Sequence, residues 1–207
     1  MQKIKMTSRQ TQAMKTKSKI YRTAFDLMEK KGYDNITIEE ISKKAGVSVG
    51  AFYHYFKSKN DILYEIFHRA DDYFRENEAQ IKMVPGASGR IAEFFKYYAR
   101  YSILTGLEFT KHLYNTEIKF FTVKDRYMLD LLRNIIEEGR QSGEIDRVMS
   151  TDELCDFLFI TARGIVFDWC LYDGNYDLEA KTSAIFNRMA AVFAAGDLKE
   201  REAGGSL

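Results

Sequence analysis

Apolar residues along this chain recur mostly three and four positions apart, the spacing of helices with one buried face. Ile20, Ala24, Phe25, Leu27 and Met28 trace the first stripe, within Lys17–Lys31, and Gly32 ends it. Thr37-Ile-Glu-Glu40 has the form of a capping box: the threonine hydroxyl accepts a first-turn N–H, and Glu40 reaches back to the threonine N–H. Ile38, Ile41 and Ala45 make the stripe of a short second helix. Gly46 closes it, because glycine takes a positive φ without a side-chain clash. Val47 is the apolar plug of the turn. Ser48 caps a third helix through Val49, Gly50, Ala51, Phe52, Tyr53, His54 and Tyr55. Two short helices meeting at a glycine turn predict a helix-turn-helix.

Ser58, with Asp61 three residues on, restarts the chain. Ile62, Leu63, Ile66, Phe67, Ala70, Tyr73 and Phe74 mark a long helix to about Lys82. The glycine-proline break at 84–89 is the expected domain boundary. Ile91 to Leu104 is apolar nearly all round, which predicts a helix buried on several sides. Further helices follow over Tyr127–Gly139, with a glycine turn to Gly143, and after a second capping box at Ser150-Thr-Asp-Glu153. The last begins beyond the turn at Tyr172-Asp-Gly-Asn175. These final two helices, about 151–171 and 176–195, have broad apolar faces and a short link, so they should lie antiparallel. Gly164, Ala162, Ala190, Ala191, Ala194 and Ala195 permit a close approach of a second copy in a four-helix interface.

The expected fold is therefore all-α. A basic flexible arm (1–16) leads into a three-helix DNA-binding domain (17–60) and a connector helix (61–83). A larger helical ligand-binding and dimerisation domain (87–196) and a polar tail (197–207) follow.

Charge sharpens this picture. The net charge of the 207 residues is +1, but residues 1–60 carry 13 Lys/Arg against 5 Asp/Glu, a net of +8. The remainder carries −7. A basic first third on an acidic body is the asymmetry of a chain that docks one end on a polyanion. Two readings fit residues 1–19: a disordered tail, or an arm laying Lys15, Lys17 and Lys19 along phosphates or into a minor groove. Two also fit Lys59, which opposes the dipole of the helix it begins: a solvated lysine, or a partner for a phosphate docked there.

Candidate chemistry beyond DNA is sparse. Nine Phe/Tyr and His112 lie between Phe94 and Phe121, either as an aromatic core or as the lining of a mostly apolar ligand site. Tyr97, Tyr101, His112, Arg163 and Trp169 are the polar-tipped candidates to line it. Arg163 on an apolar stripe needs an anionic partner or a route to solvent; the partner is either an acidic ligand group or an internal carboxylate such as Asp168 or Glu117. Cys155 and Cys170 read as small buried hydrophobes against a redox or metal role. The scattered histidines and the absence of HExxH, a nucleophile elbow or a phosphate loop argue against an enzyme, and no cofactor is expected. A His68/Asp71/Asp72 metal cluster is the weaker alternative to a solvated helix face. No charge-free apolar run suits a membrane span and no apolar segment follows the basic start, so a cytoplasmic location is expected.

Together these features resemble the TetR family of bacterial transcriptional regulators. The resembling residues are Gly32-Tyr33, Thr37-Ile38, Ile41, Ala45-Gly46-Val47-Ser48, Gly50, Phe52-Tyr53, Tyr55-Phe56, Lys59 and Leu63, covering roughly residues 17–65. The rest matches in general form. The resemblance implies a homodimeric repressor released from operator DNA by a small-molecule effector. It implies phosphate contacts from Thr37 and Lys59, and base or backbone contacts from Ser48, Val49, Gly50, Ala51, Tyr53, His54 and Tyr55. Phe52 and Phe56 should face the core. Many members carry histidine where this chain has Tyr55; here a histidine falls one place earlier, at His54. Val49, Gly50 and Ala51 offer no bidentate pair, so methyl contacts, phosphates and DNA shape should share the specificity. The alternative is a small-molecule-binding helical protein without regulated DNA binding.

Overall fold

The structure is a computed structural model describing residues 7–114 and 120–195. The start of the basic arm (1–6), Glu117 and the polar tail (197–207) lie outside the described residues. Those described form helices and turns, with one isolated antiparallel bridge between Ile145 and Ala194. They divide into two compact units, Met1–Phe67 and His68–Leu207.

In the first unit, α1 (Ser8–Lys31) buries Ile20, Ala24, Leu27 and Met28 and stops at Gly32, as the stripe predicts. It starts nine residues before Lys17. Residues 8–16, expected to be a flexible arm, are helical because Thr7 and Gln10 form a capping box, with Thr7 N–H donating to Gln10 Oε1 at 2.9 Å. α2 (Ile38–Ala45) is capped by Thr37, whose hydroxyl accepts the Glu40 N–H at 3.1 Å. The reciprocal half of that expected box is missing, since the Glu40 carboxylate instead takes Lys31 Nζ at 2.5 Å. Gly46 adopts the left-handed conformation (φ 63°, ψ 40°) and turns the chain into α3 (Val49–Tyr55). Phe52 and Phe56 are buried, with ring centroids 5.7 Å apart.

α4 (Asn60–Met83) begins where Asp61 accepts the Lys57 N–H at 2.7 Å and the Ser58 hydroxyl at 3.2 Å. The division between units falls inside α4, ahead of the glycine-proline break at 84–89. The cause is the helix's own surface: Ala70, Phe74 and Ile81 belong to the core of the second unit.

That unit is built around α5 (Ala87–Thr105), which buries ten side chains and packs against α7 (Tyr127–Gln141), α8 (Thr151–Leu171) and α9 (Leu178–Phe193). Gly106 separates α5 from a short α6 (Leu107–Leu113), an element the sequence pattern did not resolve. Phe95 stacks on Phe186 at 4.1 Å, with Phe159 edge-on to it. The end of α9 returns to the loop before α8, where Asp146 N–H donates to Phe193 O and Ala195 N–H to Glu144 O, both at 2.9 Å. α8 and α9 are thereby antiparallel. Cys155 and Cys170 are buried thiols, pushed by burial up to about 12 and about 11. Asp71 and Asp72 are engaged by Arg126 and Arg75.

One close approach sets the α5–α7 packing. A side-chain carbon on Gly139 would lie 2.4 Å from Ala87 Cβ and 2.7 Å from Ile145 Cδ1. Gly139→Ala should therefore destabilise the fold by about 1–3 kcal/mol. Gly143→Ala, with open space around it but a positive φ of 77°, measures the backbone strain alone. Denaturant unfolding of both variants checks the difference.

Candidate nucleic-acid interface

Ser48 accepts the Ala51 N–H at 3.1 Å and so fixes the start of α3. With Phe52 on the buried side, Ser48, Val49, Gly50, Tyr53 and His54 are exposed, while Ala51 and Tyr55 are half-buried beside them. The reading residues expected from the sequence thus lie on the outward side of one helix. His54 and Tyr55 meet edge-on at 4.9 Å.

Beside this face runs an open groove of about 590 Å³, into which Thr37, Tyr53, Lys57, Ser58 and Lys59 project. Thr37 lies at the N-terminus of α2 and Lys59 just ahead of α4, so the positive ends of two helix dipoles converge on it, with Asp34 and Glu39 also on its lining. Lys59 is more than a solvated cation. Its Nζ donates to Tyr33 O at 3.0 Å and Ile36 O at 2.9 Å, and sits 4.8 Å from the Tyr33 ring centroid. It pins the α1–α2 connection while offsetting the dipole opposition noted in the sequence. Tyr33, whose hydroxyl donates to Asn60 and is pushed up to about 12 by burial, completes this corner. Lys57 was not singled out by sequence reasoning, and Tyr33 entered it only through the Gly32-Tyr33 pair of the family resemblance.

In the second unit the five candidate pocket residues sit on α5 (Tyr97, Tyr101), α6 (His112) and α8 (Arg163, Trp169). Tyr97 and Tyr101 gather around Tyr73 of α4, at 6.0 and 5.2 Å, and Arg100 lies over Tyr97. Trp169 is committed to the α8–α9 turn: its indole N–H donates to Tyr176 O at 3.2 Å, and Gly174 packs on its ring. His112 is half-buried on α6. Arg163 lies over the Phe121 ring at 5.8 Å. Asp168, offered by the sequence as its partner, is taken instead by Lys181 at 2.7 Å and the Tyr176 hydroxyl at 2.9 Å.

Sequence reasoning missed a polar pair on which the Arg163 charge acts. Tyr98 and Tyr114 share a hydroxyl–hydroxyl hydrogen bond of 3.1 Å inside the aromatic interior. Burial pushes both hydroxyls up, Tyr114 well above its ordinary value, while the Arg163 charge acts on both in the opposite direction. Nothing in the spacing of the aromatics distinguished these two tyrosines from Tyr97 and Tyr101.

Comparison with known proteins follows this division of the chain. A family model described as bacterial regulatory proteins, tetR family, matches residues 20–66, and one described as YsiA-like protein, C-terminal region, matches residues 90–192. The chain is 30% identical over 176 residues to the fatty acid metabolism regulator protein of Bacillus subtilis (strain 168), covering 81% of this chain and 90% of that one. Among solved structures, the transcriptional regulator FadR from Bacillus subtilis in complex with stearoyl-CoA superposes with a TM-score of 0.65 at 26% identity, over 84% of this chain and 96% of that chain. Thermus thermophilus FadR, a TetR-family repressor in complex with lauroyl-CoA, shares the fold at a TM-score of 0.64 and 18% identity, over 84% and 93%. The chain belongs to the tetR family of bacterial regulatory proteins: it is a sequence-specific DNA-binding transcriptional repressor that a small-molecule effector releases from its operator.

Proposed function

We propose that the effector is a long-chain acyl thioester of coenzyme A and that the repressor works as a homodimer in the cytoplasm, as a regulator and not an enzyme. The observation that carries the effector reading is the likeness, over 96% of its chain, to a regulator solved with stearoyl-CoA. The broad buried face of α5 and the Tyr98–Tyr114 hydroxyl pair, with Arg163 acting on both, support it, since an acyl chain needs apolar walls and its thioester or phosphates need a few polar contacts.

The dimer reading is supported by the outward face of α8. Phe157, Ile160, Gly164, Phe167 and Leu171 follow one another at spacings of three and four, and Ile160 and Leu171 are 62% and 65% exposed. Ala184, Ala191 and Ala195 supply small exposed residues along and just beyond α9. Apolar side chains in such a row want a second helix pair. On DNA, Thr37 and Lys59 hold phosphates while Ser48, Val49, Gly50, Ala51, Tyr53, His54 and Tyr55 face the major groove.

Three outcomes are expected. Calorimetric titration with acyl-CoAs of increasing length should tighten by roughly fourfold per added methylene until the site is filled. Free coenzyme A should bind far more weakly; equal binding of free coenzyme A and stearoyl-CoA would remove the acyl reading. Phe167→Glu should yield monomers by sedimentation, with loss of tight operator binding. Lys59→Ala should weaken binding to specific and random duplexes alike, with the log–log salt slope smaller by about 0.9; unchanged affinity and slope would take Lys59 off the list of phosphate ligands.

A further inference from the structure

A second basic surface lies on α1, apart from the helix-turn-helix residues, and takes in Lys15 and Lys19 of the arm reading. Lys15, Ser18, Lys19, Arg22 and Thr23 line an open groove of about 330 Å³. Thr11, Met14, Lys15 and Ser18 line an adjoining groove of about 320 Å³. Lys15, Lys19 and Arg22 recur at spacings of four and three, so they share one face, and all three are exposed. Among the described residues none of the three has a carboxylate partner. Lys17, on another face of the same helix, is already occupied: it pairs with Glu65 at 2.7 Å and lies 5.6 Å from the Phe56 ring centroid.

The groove is continuous with the helix-turn-helix. A side-chain carbon on Gly46 would lie 3.4 Å from Lys19 Nζ, so this ammonium sits at the turn that delivers Ser48 and α3. Polar Ser18 and Thr23 alternate with the cations, and Asp26 places a negative charge at the far end of the surface. The occupant favoured by this pattern is a row of phosphates running past the turn and along the first half of α1.

We infer that Lys15, Lys19 and Arg22 clamp the DNA backbone flanking the major groove that α3 enters. The inference rests on the helix-turn-helix reading and extends its footprint. Phosphates are the target, and not the minor groove. Residues 8–22 are helical, and a helix about 10–12 Å across does not enter a groove about 6 Å wide. The clamp is sequence-independent, because lysine and arginine on phosphate oxygens position a protein without reading bases.

The test uses the full chain with two labelled duplexes of equal length, one from upstream of its own gene and one of random sequence, titrated by fluorescence anisotropy from 50 to 300 mM salt. The double variant Lys15→Gln/Arg22→Gln should reduce the magnitude of the salt slope by about 1.8 on both duplexes and weaken binding roughly 30-fold at 0.15 M salt. The ratio of specific to random affinity should stay unchanged. Lys17→Gln should leave the slope unchanged, and a matching thermal midpoint confirms that each variant is folded. An unaltered slope in the double variant, a loss confined to one duplex, or an equal loss in Lys17→Gln would overturn the clamp. Failure of the unaltered protein to bind either duplex would instead overturn the helix-turn-helix reading beneath it.

Discussion

A helix of seven residues cannot hold itself in water, where even alanine-rich peptides shorter than about 12–15 residues are marginal. α3 exists because Phe52 and Phe56 are drawn into the first unit's core, each burial contributing about 1.5–3 kcal/mol. Gly46 and the Ser48 cap set the angle at which the helix enters. With those two aromatics inward, Val49, Gly50, Tyr53 and His54 have no direction but outward. The outward face is therefore oriented by residues that are not part of it. Its own side chains carry little of the fold.

The second unit solves a different problem, that of placing polar groups within a large aromatic interior. Buried arginines there show what a structural role looks like. Arg126 is paired with Asp71 at 3.2 Å, and the same carboxylate accepts the Met128 N–H at 3.1 Å, tying α4 to the start of α7. Arg140 donates to Asp146 O and Met149 O, at 3.1 and 2.6 Å, and so shapes the loop before α8. Arg163 differs from both. Among the described residues it has no carboxylate or carbonyl partner, only the Phe121 face and the field of two tyrosine hydroxyls. A half-buried guanidinium in that condition keeps a route to solvent and is open to an anion. Its contrast with Arg126 and Arg140 is what makes it the polar centre of the effector reading.

The helix-turn-helix was legible because each part has a local cause written in one or two residues: Thr37, Gly46, Ser48 and the Phe52/Phe56 pair. The early start of α1 was equally local, and the Thr7…Gln10 box was there to be read; without an apolar stripe over 8–16 it was passed over. Glu40 went astray for the opposite reason. Its local pattern was right, but Lys31, nine residues away, competed for the carboxylate and won. The α8–α9 pairing was visible in two capped apolar runs and a short link. Which side of α8 stays uncovered, and which tyrosines meet inside, depends on how α5, α8 and α9 rotate against one another. Periodicity alone does not fix that rotation, nor does it show that the Trp169 indole donates to Tyr176 O.

Release from DNA carries an energetic condition of its own. Swinging a two-state protein from about 99:1 to 1:99 requires an effector that prefers one state by about 5.5 kcal/mol. Affinity common to both states contributes nothing to that shift. Arg163 with a single anionic group falls short, since a charge-assisted hydrogen bond contributes about 1.5–3 kcal/mol. An acyl chain removes about 0.8 kcal/mol per methylene from water, so roughly seven methylenes buried in one state and exposed in the other would meet the requirement. A chain of that length needs a long apolar channel, and α5, with Ile91, Phe94, Phe95, Tyr98 and Ala99 all buried, is the element able to wall one. The physics of switching thus favours the same ligand chemistry as the apolar interior: a long tail whose burial differs between states, with a polar end that fixes its position.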